Sequence, residues 1–377
     1  MKKILLAITF ITLIMAVPGL CHAIVGACSN CHTMHNSQGG SAVVQAYDGV
    51  GTLTSGVSTP IEYLLNASCI ACHTGGASET GGINTFGAPI VLHITSPGVN
   101  DTDQGSGKTL AGGDFYWVAT GLGGDNTKGH NVVGISNQDN TITTGLTPPG
   151  WDADATPGVN SDGTIAGGEG TWSSQLTCAG KYGCHGNHTE TSPLSAIKCA
   201  HHSNDNLTST KADTDVSTVS KSFRFLSGIK GLEDSDWQWT ESSTDHNEYF
   251  GANITGTRTN YTNKYTISYL CAECHGDYHK SIGGNSPWLR HPTDIVVPAS
   301  GEYIYNPDDG NQYSLKTPVA RGLVPDFSSA AVTTGSTTAI LMCLSCHRAH
   351  GSPCYKLMRW DNQANMSGCL ICHTSKK

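Results

Sequence analysis

Basic residues are scarce in this 377-residue chain, 21 Lys and Arg against 30 Asp and Glu. A surface of that sign offers no footprint for nucleic acid or anionic lipid, so a charge-steered partner is expected to be basic or a cation. Apolar residues are also short, at 37%, which makes a thin side-chain core for a chain of this length. Beyond residue 17 no run is apolar enough to cross a membrane. A complete phosphate loop is missing: residues 105–109 read Gly-Ser-Gly-Lys-Thr, but the position of the motif's first Gly holds Thr102. Long helices are not expected either. Glycine occurs 45 times, well above the usual level of about 7%, and runs such as Gly112-Gly113, Gly123-Gly124, Pro148-Pro149 and Gly167-Gly168 punctuate residues 101–169. That stretch predicts loops, turns and a few small strands. Its acidic clusters, Asp101–Asp103 and Asp152–Asp154, read as solvated turns more readily than as a calcium site.

What the chain does have is Cys-x-x-Cys-His, five times: Cys28–Cys31–His32, Cys69–Cys72–His73, Cys271–Cys274–His275, Cys343–Cys346–His347 and Cys369–Cys372–His373. This is the attachment signature of c-type haem, two thiols for thioether bonds and an adjacent His for the iron. At these Cys and His frequencies chance gives about 0.03 such pentapeptides per chain. A zinc site has no need of His after every second Cys, and a redox dithiol needs one motif in a βαβ context. The haems would then supply the apolar mass the composition lacks.

The start of the chain reads Met1-Lys2-Lys3, an apolar run from Ile4 to Val17, then Pro18-Gly19 and Cys21-His22-Ala23. This is the layout of a secretory signal peptide over residues 1–23. A single haem-cored domain over 24–377 is expected to follow. The alternative, a lipid on Cys21, is disfavoured by the bulky Leu20 before it. Losing Lys2 and Lys3 leaves 19 basic against 30 acidic residues, a formal charge of −11. The expected location is secreted or at the outer cell surface, with the periplasm as alternative.

Four cysteines lie outside the five motifs: Cys178, Cys184, Cys199 and Cys354. The first two sit in Cys178-Ala-Gly-Lys-Tyr-Gly-Cys184-His185, which keeps the Cys-His pair but widens the thiol gap. It reads as a sixth attachment site on a bulged loop, against a Cys178–Cys184 disulfide or a single thioether from Cys184. A Cys199–Cys354 disulfide fits an oxidising compartment, and sequence leaves it open. Six covalently bound haem c groups are therefore expected, with His32, His73, His185, His275, His347 and His373 on the proximal side.

Ten other His remain in the mature chain: His35, His93, His130, His188, His201, His202, His246, His279, His291 and His350. They are enough to place a second imidazole on every iron. His35, His279 and His350 sit too close behind their own motifs to reach the far face of the same haem, so they point to neighbouring haems. Met34, Met342, Met358 and Met366 read as packing residues rather than ligands. Short helices are expected at the haem motifs and from Cys354 to Trp360.

At these residues the chain resembles the outer-surface hexahaem c-type cytochromes of metal-reducing bacteria, a family with filament-forming members. The shared pieces are CSNCHTMHNS at 28–37, GGDFYWV at 112–118, KGHNVV at 128–133, His279 after its motif, WLRHP at 288–292 and CLSCHRAHGS at 343–352. The resemblance implies a coil-rich fold with short helices, a few small strands and no large sheet, wrapped around a row of haems. It implies His93, His130, His279, His291 and His350 as distal ligands, and His35 as the ligand to a haem in an adjacent subunit. His188, His201, His202 and His246 are alternates. The stretched third site and the His201-His202 pair depart from the family pattern.

The expected function is electron conduction along bis-His haems to extracellular acceptors, metal oxides or other c-type cytochromes, in a homopolymer. The rivals are a monomeric periplasmic carrier and a multihaem reductase of oxyanions. A reductase needs an iron with an open face, which the His surplus and the absence of Cys-x-x-Cys-Lys speak against.

Overall fold

The computed structural model describes residues 28, 31, 32, 45–47, 53–55, 68–76, 82–84, 87–97, 109–141, 146–151, 171–202, 211–253, 263–279, 291–307, 312–323, 331–364 and 366–376. The signal peptide, His35, Met34, both acidic clusters and residues 105–108 of the false phosphate loop lie outside them.

The chain is coil-rich, with short helical turns and strands of two or three residues. Among the described residues there are four two-stranded sheets and one three-stranded sheet. The larger one runs antiparallel through Lys211–Asp213, Gly231–Glu233 and Glu248–Tyr249, with Ala212 opposite Leu232 and Leu232 opposite Glu248. Residues 109–141 hold three-residue 3-10 turns but no strand, so the small strands expected there are absent from the described part. What pairs instead is glycine. Gly113 and Gly129 each bridge to Gly351. Gly113 has φ of +80°, and a Cβ there would lie 2.0 Å from the Gly351 carbonyl oxygen, so only glycine fits this crossing.

The longest described helix, Ile267–Cys274, forms where neither Gly nor Pro interrupts the chain. Thr266 caps it, its hydroxyl accepting from Tyr269 N at 3.1 Å and donating to Asp294 Oδ2 at 3.0 Å. Ile267, Tyr269, Leu270 and Ala272 are buried, and His275 ends the helix in a non-helical conformation. Turns at Cys69–Ala71, Cys343–Ser345 and Cys369–Ile371 carry three more attachment motifs, and Tyr355–Leu357 forms the short turn expected after Cys354.

Among the described residues, apolar burial gathers in three small clusters, each touching part of an attachment motif. One joins Phe223, Ile229, Ile267 and Leu270 to Ile340 and Met342, with Leu344 against it. The second packs Val297, Tyr305, Tyr313 and Val319 against Ile371 and Cys372. The third gathers Ile70, Leu92, Phe115, Val118 and Ile135, with Cys178 against it. Each fully buried Ile or Leu contributes about 2 kcal/mol, and clusters this small leave the motifs as the places where the core meets.

Candidate haem-attachment row

In all five Cys-x-x-Cys-His motifs the His amide donates to the carbonyl of the first Cys, at 2.8 Å for His32 and His373, 2.9 Å for His275, 3.0 Å for His73 and 3.1 Å for His347. One closed turn therefore spans both thiols and the imidazole in each motif. The widened motif is built differently. Cys178 and Cys184 sit on two parallel strands, Thr177–Ala179 and Gly183–His185, with Ala179 opposite His185. Gly180, at φ of +87°, turns the loop between them.

Among the described residues no cysteine is held in a disulfide, Cys178, Cys184, Cys199 and Cys354 included. No disulfide therefore joins Cys178 to Cys184 or Cys199 to Cys354 in this structure.

The motifs adjoin in chain order. Cys31 of the first is hydrogen-bonded with Cys72 of the second, and Cys69 of the second with Cys178 of the third. Cys184 lies within electrostatic reach of Cys271 and Cys274 of the fourth. Cys271 is hydrogen-bonded with Cys343 of the fifth, and Cys346 feels Cys372 and Cys369 of the sixth. Burial pushes the Cys184 and Cys372 thiols up to about 11 and Cys346 to about 12. At neutral pH these are protonated thiols, not redox dithiols of low pKa.

Five of the six motif imidazoles face a second imidazole. Ring centres are 5.8 Å apart for His32 and His202, 6.1 Å for His73 and His201, 6.4 Å for His185 and His350, 6.3 Å for His275 and His130, and 6.2 Å for His373 and His291. Stacked rings come much closer, as His246 and Tyr313 do at 3.6 Å and 5°. Two metal–nitrogen bonds of about 2 Å each, with about 1.1 Å from nitrogen to ring centre on either side, predict a centre-to-centre distance of about 6 Å.

Nitrogen chemistry agrees. His73 Nδ1 donates to Pro89 O at 2.9 Å, His185 to Arg224 O at 3.0 Å, His275 to Pro149 O at 2.6 Å and His347 to Lys356 O at 2.9 Å. Among the opposing rings, His130 Nδ1 donates to Ala349 O at 2.6 Å and His291 to Pro292 O at 3.1 Å. A carbonyl on Nδ1 fixes the tautomer and leaves the Nε2 lone pair for a metal. Burial also lowers the pKa of His73, His130 and His185, and pulls His201 to about 4 and His350 to about 3, so these rings are neutral at pH 7.

The remaining His stand elsewhere. His93, named by the resemblance, is buried with Nδ1 2.6 Å from Asp114 Oδ2, and Asp114 also caps the Phe115–Trp117 turn. His188 donates from Nε2 to Cys184 O at 3.2 Å and lies 3.7 Å from Glu273. His246 stacks on Tyr313 and donates from Nδ1 to Asn247 O. Among the described residues, no motif imidazole faces any of these three. His201 and His202, alternates in the sequence reading, are the rings that meet His73 and His32. For His279 only the backbone turn Gly276–His279 is described. Among the described side chains no imidazole faces His347.

Sequence reasoning missed the Nδ1 acceptors Pro89, Pro149, Arg224 and Lys356. They act through backbone carbonyls, which any residue type supplies, so no sequence signal marks them.

Comparison with known proteins adds the following. A family model described as a doubled CXXCH motif matches residues 332–377, the fifth and sixth sites. The C-type cytochrome OmcS of Geobacter sulfurreducens is 25% identical over 383 aligned residues, covering 89% of this chain and 79% of OmcS. Two solved structures are similar: the outer membrane cytochrome S filament from the same organism, with 23% identity, TM-score 0.43 and coverage of 90% of this chain and 84% of that one, and the cryo-EM structure of OmcS nanowires, with 21%, 0.42, 90% and 85%. The chain is thus OmcS-like in sequence.

Proposed function

We propose that this protein is an exported hexahaem c-type cytochrome that conducts electrons along a row of bis-His haems and is not an enzyme. The observation that carries the reading is the set of five imidazole pairs at 5.8–6.4 Å, placed along motifs that adjoin from first to last. Cys28, Cys31, Cys69, Cys72, Cys178, Cys184, Cys271, Cys274, Cys343, Cys346, Cys369 and Cys372 would hold six haems by thioether bonds. His202, His201, His350, His130 and His291 would complete the first, second, third, fourth and sixth irons. Once bound, the haems supply reversible one-electron chemistry.

The chain's own part is to close both faces of each iron, to fix imidazole orientation from behind and to keep neighbouring sites in contact. An iron closed on both faces offers no site for an oxyanion, which separates this reading from the reductase. For the fifth site we assign His35 of a second copy as the ligand opposite His347. A contact of that kind is heterologous and, where it does not close, makes a filament. The acceptors at the outer surface would be metal oxides or other cytochromes, matching the low content of basic residues. Motifs that adjoin from first to last support the reading of a single domain over residues 24–377.

Intact mass of the denatured mature protein tests the stoichiometry: six haems are expected, and five haems with a Cys178–Cys184 disulfide would overturn the third site. Electron paramagnetic resonance of the oxidised polymer should contain low-spin signals alone. His35→Ala should expose one high-spin iron per chain and abolish polymer. The same outcome from His279→Ala, with His35→Ala silent, would place the fifth ligand within the chain.

A further inference from the structure

The fifth and sixth attachment sites adjoin, yet opposite charges surround them. At the fifth, Arg359 is buried, at 4% exposure, and its side chain reaches back into the motif. Its Nε donates to Leu344 O at 2.7 Å, between Cys343 and Cys346, and its Nη1 to Leu315 O at 3.2 Å, while its backbone N–H donates to Cys346 O at 2.8 Å. Arg348, the residue after His347, is also buried, and its Nη1 donates to Ala111 O at 2.9 Å. Two guanidinium groups, always charged, are thus held by the backbone around one motif.

The sixth site has the other sign. His373 Nδ1 lies 3.6 Å from the Glu302 carboxylate, both about 30% exposed, with Tyr303 edge-on to the imidazole at 5.0 Å. Among the motif imidazoles whose Nδ1 partner is described, the other four rest on neutral carbonyls. A carboxylate behind a ligating imidazole raises its basicity and stabilises the higher charge on the metal. A buried cation does the reverse, favouring the reduced state with its smaller positive charge.

We propose that this charge arrangement grades the last step of the row, with Arg359, seconded by Arg348, raising the potential of the fifth-site haem and Glu302 lowering that of the sixth. Electrons then rest on the fifth site in preference to the sixth, so the sixth is the more reducing end of the pair. The inference rests on the proposed haem row, and Arg359 and Glu302 are positioning and tuning residues rather than ligands.

Redox titration of the full-length, haem-loaded protein, followed by low-spin resonance signals, tests it. Glu302→Gln should raise one midpoint, by at least a tenfold change in reduced-to-oxidised ratio at fixed potential, or 59 mV for a one-electron couple. Arg359→Gln should lower a different midpoint by a similar factor, and Arg359→Lys, which keeps the charge, should recover most of it. Glu302 is part-exposed, so Glu302→Gln can be read even where Arg359→Gln does not fold. Six haems by mass, all low-spin, with every midpoint of Glu302→Gln unmoved or displaced downward would overturn the grading and leave the haem row standing. Loss of the sixth haem from the wild-type protein would instead overturn the row.

Discussion

The third and fifth attachment sites differ in sequence and coincide in how they hold their histidine. One has five residues between its thiols and the other two, and one presents them on paired strands, the other on a closed turn. Behind each imidazole, however, stands the same device. Arg224 and Phe225, at φ of 49° and 60°, and Lys356 and Leu357, both at 59°, form two-residue left-handed turns. The carbonyl of the first residue accepts from the imidazole Nδ1, and the carbonyl of the second accepts from the amide after the histidine, Gly186 or Arg348, at 2.8 Å in both cases. The bridges beyond differ, parallel from Gly186 to Leu226 and antiparallel from His347 to Met358. The imidazole is therefore positioned by a second segment rather than by thiol spacing, which is why a widened motif remains compatible with the same imidazole geometry.

Where the two sites part is the opposite face. His185 meets His350, whereas His347 meets no described imidazole. The largest expected effect comes from removing that difference. His350→Ala should convert one iron per chain from low to high spin, read by electron paramagnetic resonance, because His185 would lose the ring at 6.4 Å. His93→Ala should cost stability, through loss of the 2.6 Å contact to buried Asp114, but leave every iron low-spin. A high-spin signal from His93→Ala would return that residue to the ligand set.

This contrast also marks how far the sequence could be read. The five Cys-x-x-Cys-His motifs stand out in the sequence because thioether chemistry demands fixed residue types at a fixed spacing, and Cys178 with Cys184 joins them as an expectation because the Cys-His pair survives. Coil-rich architecture was legible from glycine and proline. Of the opposing imidazoles, His130, His291 and His350 were named through the family resemblance, whereas His201 and His202 were only alternates, because they arrive from a turn that nothing in the sequence ties to the first two motifs. His93 shows the converse. It lies beside the second motif on the strand Leu92–His93, paired with Thr74–Gly75, with its Nδ1 on Asp114 and no motif imidazole opposite it among the described residues. The left-handed turns were invisible because Phe-Arg-Phe and Tyr-Lys-Leu carry neither Gly nor Asn.

A smaller effect separates what lies behind the two turns. The Arg224 turn is backed by the buried segment His246–Glu248, with Arg224 Nη2 donating to Asn247 Oδ1 at 2.9 Å. Burial holds His246 at about 4, below its ordinary 6.5, with the Arg321 charge adding to the depression. The unfolded chain then binds a proton that the folded chain refuses between those two values. Stability from this group is complete above pH 6.5 and is lost as pH falls towards 4, by up to about 3 kcal/mol. Denaturant midpoints at pH 7 and pH 5 should differ less in His246→Phe than in the parent, and an equal difference in both would show that this ring carries none of the acid sensitivity.

The smallest effect tests the turns themselves. A left-handed conformation costs a side-chain-bearing residue about 1–2 kcal/mol relative to glycine. Lys356 is exposed, and its side-chain contact is with the Tyr355 ring, centred 5.2 Å from Nζ. Lys356→Gly should therefore stabilise the protein, by about 1 kcal/mol, while its carbonyl continues to hold His347. Arg224→Gly relieves the same strain but removes the bonds to Asn247 and to Asp234 O and the ion pair with Glu233 at 3.6 Å. Those losses, about 1.5–3 kcal/mol for a charged hydrogen bond in a part-buried site, outweigh the relief, so this variant should be destabilised. Opposite signs from two glycine substitutions on matching backbone would show that the fold builds one clamp and lets the side chain decide its stability. A gain in both would mean that the Arg224 network contributes less than the strain it accompanies.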